Sequence, residues 1–316
     1  MTDLYAHKIF IDGAEGTTGL RLKERLKSRR DIVLRVLSEN DRRDPGRRRE
    51  ELNSCDIAFL CLPDDAAREA ARMVENPRVR IIDASTAHRT AEGWDYGFPE
   101  LSPEHFSACS SSLRITNPGC HACGFTALIY PLVKHGLLSS RAKLRCFSLT
   151  GYSGGGKPMI ARYEDPERDE SYGAPRQYAL DQRHKHLSEM RAVCGLETCP
   201  VFCPVIFDRY SGMEVTVPLF GEELTEGASV KDVKEVFRKH YDGEIVNYRE
   251  NIDDGGYLSA TRLSGTDGML ITVAGDEERI LLIAVFDNLG KGASGSAIEC
   301  MNIMLGKKPS LGLTLL

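Results

Sequence analysis

The chain has 316 residues, 28% of them charged, with a formal net charge of −5 and 41% hydrophobic residues. That length allows two domains with a sizeable core, and the acidic balance argues against general attraction to nucleic acid or an anionic membrane. No apolar run approaches the ~20 residues of a membrane span, and the N-terminus lacks a signal-peptide core. Ten cysteines without a small loop-rich framework fit a reducing compartment, so a cytoplasmic protein is expected.

The chain opens with a strand, Lys8 to Asp12, that runs into Gly13-Ala14-Glu15-Gly16-Thr17-Thr18-Gly19 and then Leu20, Leu22 and Leu26 at helical spacing. Three glycines spaced by three, after a strand and opening a helix, form a variant of the dinucleotide fingerprint. Gly13, Gly16 and Gly19, with Thr17 and Thr18 at the helix start, are therefore candidate cofactor contacts. Further strands are predicted at Ile32 to Leu37, Asp56 to Leu62, Val79 to Ala84 and Leu113 to Thr116, alternating with helical stretches. The expected fold is α/β, with a doubly wound, mostly parallel nucleotide-binding sheet.

The second strand ends Arg35-Val36-Leu37-Ser38-Glu39, ahead of Arg42, Arg43, Arg47, Arg48 and Arg49. A 2′-phosphate wants Arg and hydroxyl donors, so the cofactor is expected to be NADP, with Ser38 and Arg42 as contacts. Glu39 runs against that expectation, and the competing reading is a solvated charge run. Asp83 to Arg89 ends a later strand at the edge where open α/β sheets bind ligands, bringing in Ser85 for the cofactor and Arg89 for the substrate. Tyr96 to Leu101 reads as a loop.

Asn117-Pro118-Gly119-Cys120 comes next, followed by an apolar helix from His121 to His135. A thiol at a helix start meets unpaired N–H groups and the positive end of the macrodipole, which enlarges its thiolate fraction. Cys120 is thus the candidate nucleophile, with Asn117 beside it. Cys120-x-x-Cys123 also spells half a zinc or redox site, but no second half has the usual spacing, and no metal is assigned.

Lys143 to Thr150 is a strand leading into a glycine-rich segment where Ser153, Gly154 and Lys157 are candidate anion donors, the alternative being a flexible connector. Ala161 to Arg176 is polar and aperiodic and reads as an exposed loop. Gln182 to Met190 begins a helix carrying His184 and His186, one of which is expected to manage a proton. The remaining strands, Val201 to Phe207, Met213 to Phe220, Met269 to Ala274 and Arg279 to Phe286, with helices at Val230 to His240 and Ala293 to Met304, suggest a second, α+β domain carrying a largely antiparallel sheet. The open face of that sheet is the expected subunit interface.

Taken together, Gly-x-x-Gly-x-x-Gly, Asp83-x-Ser85-x-x-x-Arg89, Tyr96-Gly-x-Pro-Glu-Leu101, Asn117-Pro-Gly-Cys120 and His184-x-His186-x-x-Glu189 resemble, in order, the N-acetyl-γ-glutamyl-phosphate reductase family in its shorter form. The resemblance implies reduction of an acyl phosphate by NADPH through a Cys120 thioester, in arginine biosynthesis, with phosphate released. It implies Cys120, His184 and His186 as catalytic, Glu189 and the Ser153 to Lys157 segment near the substrate, and Asn288 near the nicotinamide; Arg89 and Arg114 are expected beside the acyl phosphate because a doubly charged leaving group needs several donors. The domains would be 1–119 completed by 288–316, for NADP, and 120–287, for catalysis and dimerisation, in a homodimer or homotetramer with no nucleic-acid or membrane partner. One departure from the longer form is His121-Ala122-Cys123, where that form has an aromatic followed by Ala-Thr. The rival readings are an enzyme like aspartate-semialdehyde dehydrogenase and a non-catalytic nucleotide-sensing protein.

Overall fold

The computed structural model describes residues 6–315, which divide into two compact units. The first comprises residues up to Pro99, Glu104–Pro118 and Ser296–Gly312, and the second Glu100–Pro103, Gly119–Gly295 and the C-terminal residues from Leu313. The final segment therefore joins the first unit from Ser296, eight residues beyond the expected start at 288, and residues 288–295 stay with the second.

The first unit is built on six parallel strands, β1 (His7–Asp12), β2 (Ile32–Arg35), β3 (Ile57–Leu60), β4 (Arg80–Asp83), β5 (Asp95–Tyr96) and β6 (Arg114–Thr116), in the order β2-β1-β3-β4-β6-β5. Near-continuous apolar runs such as Ile57 to Leu60 form such strands because both sheet faces are covered. Ile9, Phe10, Phe59, Leu60, Ile81, Ile82 and Ile115 are all fully buried. The connecting helices are α1 (Thr17–Leu26), α2 (Pro45–Ser54), α3 (Asp64–Met73) and α4 (Pro103–Ser111). The strand order reverses between β1 and β3, the switch point outside whose carboxyl ends, at Asp12-Gly13 and Cys61-Leu62, ligands of open α/β sheets bind. β2 stops two residues short of the expected Leu37, and the stretch expected as a loop begins with the last residue of a short edge strand, β5.

The second unit begins with α5 (Cys120–Lys134) and continues through β7 (Arg145–Gly151), α6 (Gly156–Glu164), β8 (Arg176–Gln177), α7 (His186–Val193), β9 (Val201–Phe207), β10 (Met213–Phe220), α8 (Val230–His240), β11 (Val246–Tyr248), β12 (Met269–Gly275) and β13 (Arg279–Phe286). Its seven strands run β11-β12-β13-β10-β7-β9-β8, antiparallel except at β7·β9 and β11·β12. One face is covered by α5, which lies so close that a Cβ at Gly124 would fall 2.5 Å from Val215 Cγ2. Phe125, Leu128, Ile129 and Leu132 of α5 are fully buried, each contributing about 2–3 kcal/mol of transfer free energy. A π-type turn, Gly290–Ser294, then leads into α9 (Gly295–Met304). In the first unit, α9 is tied down by Arg29 Nη1 on Asn302 Oδ1 (3.0 Å) and Arg80 Nη1 on Met304 O (2.9 Å).

Two stretches correct the sequence reading. Ala161 to Arg176 is not one exposed loop: it holds the end of α6, a short 3-10 turn at Glu170–Gly173 and the first residue of β8. Only Tyr163 of α6 is buried, so the helix shows almost no apolar periodicity. α7 starts at His186, four residues later than Gln182, which leaves His184 in the segment before it.

Candidate active site

In the first unit, the fingerprint glycines play different parts. Gly13 has φ +84 and stands where a Cβ would lie 2.3 Å from Cys61 O; at Gly19 a Cβ would lie 2.3 Å from Gly13 O. Both positions demand glycine for close backbone approach. Around Gly16 the nearest atom to a Cβ would be 3.6 Å away, and no side chain caps α1. The first-turn N–H groups at Thr17 and Thr18 thus form an uncapped anion-binding end. A cavity of about 150 Å³ lies beside it, lined by Asp12, Gly13, Glu15, Leu37, Arg42 and Arg43 among others. Arg42 Nε is buried there with no hydrogen-bond partner among the described residues, while its Nη2 reaches Glu39 at 3.1 Å. The Ser38 hydroxyl donates to Asp41 Oδ2 at 2.7 Å.

Arg48 was hidden in the charge run. It is buried and donates Nε and Nη2 to Asp12 Oδ2 at 3.1 and 2.9 Å, fixing the end of β1 just before the first glycine. Burial pushes the Asp12 carboxyl pKa up even though Arg48 pulls it back. Asp83, also buried, receives Ser85 N (2.9 Å), Ser85 Oγ (2.8 Å) and His88 Nδ1 (2.6 Å). Ser85 is held at the carboxyl end of β4, its proton on Asp83 and its oxygen accepting from Ala87 N. Arg89 Nε donates to Asn117 O at 3.1 Å, and Asn117 N to Asp83 O at 2.7 Å, so these residues share the same sheet end.

Arg114 does not belong with them. It is the first residue of β6, at the amino end of the parallel strands, and its Nη1 donates to the carbonyls of Val79 and Leu113. Ligands of open α/β sheets bind outside the carboxyl ends, and the expectation of Arg114 at the substrate is corrected on that ground.

In the second unit, Cys120 is the first residue of α5, preceded by Gly119 with no side-chain cap. Glu189 Oε1, on α7, accepts Gly119 N at 2.8 Å, bracing the turn from outside. Glu189 is almost wholly buried. Opposite, Gly292 packs so closely that a Cβ would stand 3.0 Å from Cys120 Cβ. The next residue back, Lys291, has a fully buried side chain whose Nζ lies 2.7 Å from both carboxylate oxygens of Glu100. Cys120 is half-buried; Cys123 is buried, its Sγ directed at Lys291 O (3.6 Å) and its thiol pKa pushed up by burial. Among the described residues no group of three or more His, Cys, Asp or Glu is arranged to hold a metal ion.

The two sequence-predicted histidines meet. His184 and His186 stack edge to face at 4.7 Å, and His184 Nδ1 accepts the His186 backbone N–H at 3.2 Å. Both rings lie within 5.5 Å, centroid to centroid, of His121, which follows Cys120. His121 had no assigned role in sequence, and its partners Ser148 and Tyr178 carry no local motif. Ser153 is buried and accepts Asn288 Nδ2 at 3.0 Å; Asn288 Oδ1 accepts Gly212 N at 3.0 Å. Asn288, expected with the nucleotide domain, is thus a structural tie inside the second unit. Gly154 and Lys157 are exposed on the 3-10 turn (Tyr152–Gly155) and first turn of α6.

Residues 120–288 match the family model described as semialdehyde dehydrogenase, dimerisation domain, and residues 8–109 match semialdehyde dehydrogenase, NAD binding domain. The chain is 41% identical over 319 residues to N-acetyl-gamma-glutamyl-phosphate reductase 2 of Nostoc sp., covering 97% of this chain and 99% of that one. Against N-acetyl-gamma-glutamyl-phosphate reductase of Rhizobium meliloti the identity is 43% over 305 residues, 94% of this chain and 98% of the other. Among solved structures, aspartate semialdehyde dehydrogenase II from Vibrio cholerae, complexed with ASA, superposes with a TM-score of 0.74 at 17% identity, covering 96% of this chain and 99% of that one. Aspartate semialdehyde dehydrogenase from Candida albicans, with NADP, gives 0.63 at 14% identity, covering 95% and 99%. At such identities the structures share the fold.

Proposed function

Because the chain belongs to the N-acetyl-γ-glutamyl-phosphate reductase family, we propose that it reduces N-acetyl-γ-glutamyl phosphate to N-acetylglutamate 5-semialdehyde and phosphate in arginine biosynthesis, using NADPH. The observation that carries the reading is Cys120 at an uncapped helix start, with Gly119 braced by Glu189.

In the first step the Cys120 thiolate attacks the acyl carbon. The new bond is C–S, and the bond that breaks is the one between that carbon and the phosphate oxygen, so phosphate leaves with its electron pair and a thioester remains. When bound, the reduced nicotinamide supplies a hydride to the thioester carbon. Cys120 then leaves as thiolate as the aldehyde C=O forms. Backbone N–H groups at the start of α5 are placed to hold the oxyanion in both steps, a stabilisation worth about 3 kcal/mol per donor. His184 or His186 takes and returns the proton, and the pair's shared packing supports either assignment. Asn117, Arg89, Glu189, Ser153, Gly154 and Lys157 remain the proposed surroundings of the substrate anion, and Arg114 is withdrawn.

The residues of the first unit fit a nicotinamide dinucleotide. Space for close approach exists at Gly16, and Arg42 Nε is buried beside the same cavity without a partner among the described residues. Gly13, Gly16, Gly19, Thr17 and Thr18 would hold the pyrophosphate, and Arg42 with Ser38 the 2′-phosphate of NADP. Ser85 would border the same sheet end. A cytoplasmic homodimer or homotetramer, paired through the second unit, completes the proposal. The test is phosphate-dependent reduction of NADP with N-acetylglutamate 5-semialdehyde against aspartate semialdehyde. Turnover of the first alone is expected, and turnover of the second alone would move the chain to the dehydrogenase side of its fold.

A further inference from the structure

A ring of hydrogen bonds closes around one buried carboxylate in the first unit. Asp83 is fully buried as the last residue of β4, and the donors that reach its side chain among the described residues are Ser85 N, Ser85 Oγ and His88 Nδ1, at 2.9, 2.8 and 2.6 Å. No lysine or arginine is among them. A carboxylate only accepts, so the His88 ring carries a proton on Nδ1 and directs it at Asp83 Oδ2. The same ring lies flat against Trp94, with centroids 4.1 Å apart and planes 9° from parallel. Trp94 is anchored in turn, packed against the core cluster that holds Phe10, Leu60 and Ile81. Two successive turns bring the rings together, Ala91 N donating to His88 O at 3.0 Å and Trp94 N to Ala91 O at 3.3 Å.

Only an imidazole makes both contacts. Phenylalanine would stack on the indole but has no donor for Asp83, and asparagine would donate but has no ring to stack. The consequence falls on the next residue. Arg89 follows His88 directly, its Nε donates to Asn117 O at 3.1 Å, and Asn117 N donates to Asp83 O at 2.7 Å. Arg89 is thus tied to Asp83 by two routes, through His88 along the chain and through Asn117 from the end of β6. Within the same turn, Thr86 N and Oγ1 donate to Asp64 at 3.0 and 2.5 Å. We infer that His88 is a positioning residue, whose hydrogen bond to Asp83 and stack on Trp94 fix the Ser85 to Arg89 turn so that Arg89 is presented to an oxyanion such as phosphate. This rests on Arg89 as a donor to the substrate anion in the proposed function.

The experiment measures binding of inorganic phosphate to the intact protein by calorimetry, together with kcat and the KM for phosphate in the oxidation of N-acetylglutamate 5-semialdehyde by NADP. Arg89→Ala marks the site, since the phosphate binding that it removes is the signal followed. His88→Phe keeps a ring on Trp94 and loses the donor. It should raise the dissociation constant and the KM for phosphate about tenfold, the scale of one hydrogen bond to a charged group, and change kcat less. His88→Asn, which places an amide N–H near the position of Nδ1, should recover most of that loss. Phosphate binding that Arg89→Ala leaves intact, unchanged binding in His88→Phe, or no recovery in His88→Asn overturns the inference. Should His88→Phe not fold, His88→Ala compared with His88→Asn decides, and equal constants in the two overturn it. Calorimetry needs neither acyl substrate nor turnover. The expected pattern in a protein inactive on N-acetylglutamate 5-semialdehyde would therefore overturn the proposed function and leave this inference standing, and an active enzyme whose phosphate binding ignores His88 would do the reverse.

Discussion

α1 and α5 start in the same way, with a glycine at the cap position and no side chain satisfying the first-turn N–H groups. Their surroundings differ. At α1 the second glycine looks into space, with 3.6 Å to the nearest atom from a Cβ at Gly16, whereas at α5 Gly292 crowds Cys120 and Glu189 grips Gly119 N. An open uncapped helix end suits an anion that arrives and leaves; a crowded one suits a reactive group that must be held in one place. The contrast teaches that an uncapped N-terminus acquires its task from what is packed around it.

The largest effect should come from the residue that distinguishes the two helix ends. Cys120→Ser should cut turnover by at least about 10³-fold, as loss of a covalent nucleophile does in comparable enzymes, while Cys123→Ala should keep most of it. Protein mixed with acyl phosphate and no NADPH should gain one N-acetylglutamyl mass on the Cys120 peptide; an adduct on Cys123 would show that the wrong thiol was assigned. Next in size is the brace. Glu189→Ala leaves Gly119 N without its acceptor, a change worth about 1–3 kcal/mol, and should lower kcat by roughly 10- to 100-fold with stable folding by circular dichroism. Unchanged kcat would mean that the α5 turn keeps its shape unaided. At α1 the comparison can be reversed. Gly19→Ala puts a Cβ 2.3 Å from a backbone oxygen and should destabilise the protein by about 1–3 kcal/mol, read as a lower Tm. Gly16→Ala should leave Tm in place and weaken cofactor binding only. Equal losses of Tm in both would mean that Gly16 is as tightly packed as Gly19.

Those helix ends were legible in sequence because each is a short local pattern: glycines at fixed spacing after an apolar strand, and Pro-Gly ahead of an apolar helix. α8 was found at its observed bounds, Val230 to His240, because the amphipathic run is continuous, and the structure adds a capping box from Ser229 to Asp232 that fixes its start. What stayed hidden depends on partners far away in the chain. Arg48 looked like one more arginine in a charged run until its carboxylate, 36 residues back at Asp12, came into view. His121 finds Ser148 and Tyr178 27 and 57 residues on. Arg114 failed for the opposite reason: residue type suggested an anion partner, but its place at the amino end of β6 gave its guanidinium only carbonyls. Both histidines were expected on one helix, yet α7 begins only at His186, and the segment before it brings the His184 ring against that of His186.

The smallest effect concerns cofactor choice at the open end. Ser38 was expected to share the 2′-phosphate with Arg42, but its hydroxyl proton is committed to Asp41 at 2.7 Å, so only Arg42 has a buried donor to offer, at Nε. The Arg42 contact to Glu39 is between exposed groups and screened by solvent, and does little to hold the guanidinium away from a phosphate. One charge-assisted hydrogen bond to phosphate is worth about 1.5–3 kcal/mol. Arg42→Ala should therefore reduce the ratio of kcat/KM for NADPH over NADH by about tenfold or somewhat more, with the change on the NADPH side, and Ser38→Ala should reduce it much less. A larger loss from Ser38→Ala would mean that Asp41 releases the hydroxyl when cofactor binds. Equal use of NADPH and NADH by the unmodified enzyme would remove the 2′-phosphate reading of the Arg42 cavity altogether, while leaving the pyrophosphate role of the glycine turn intact.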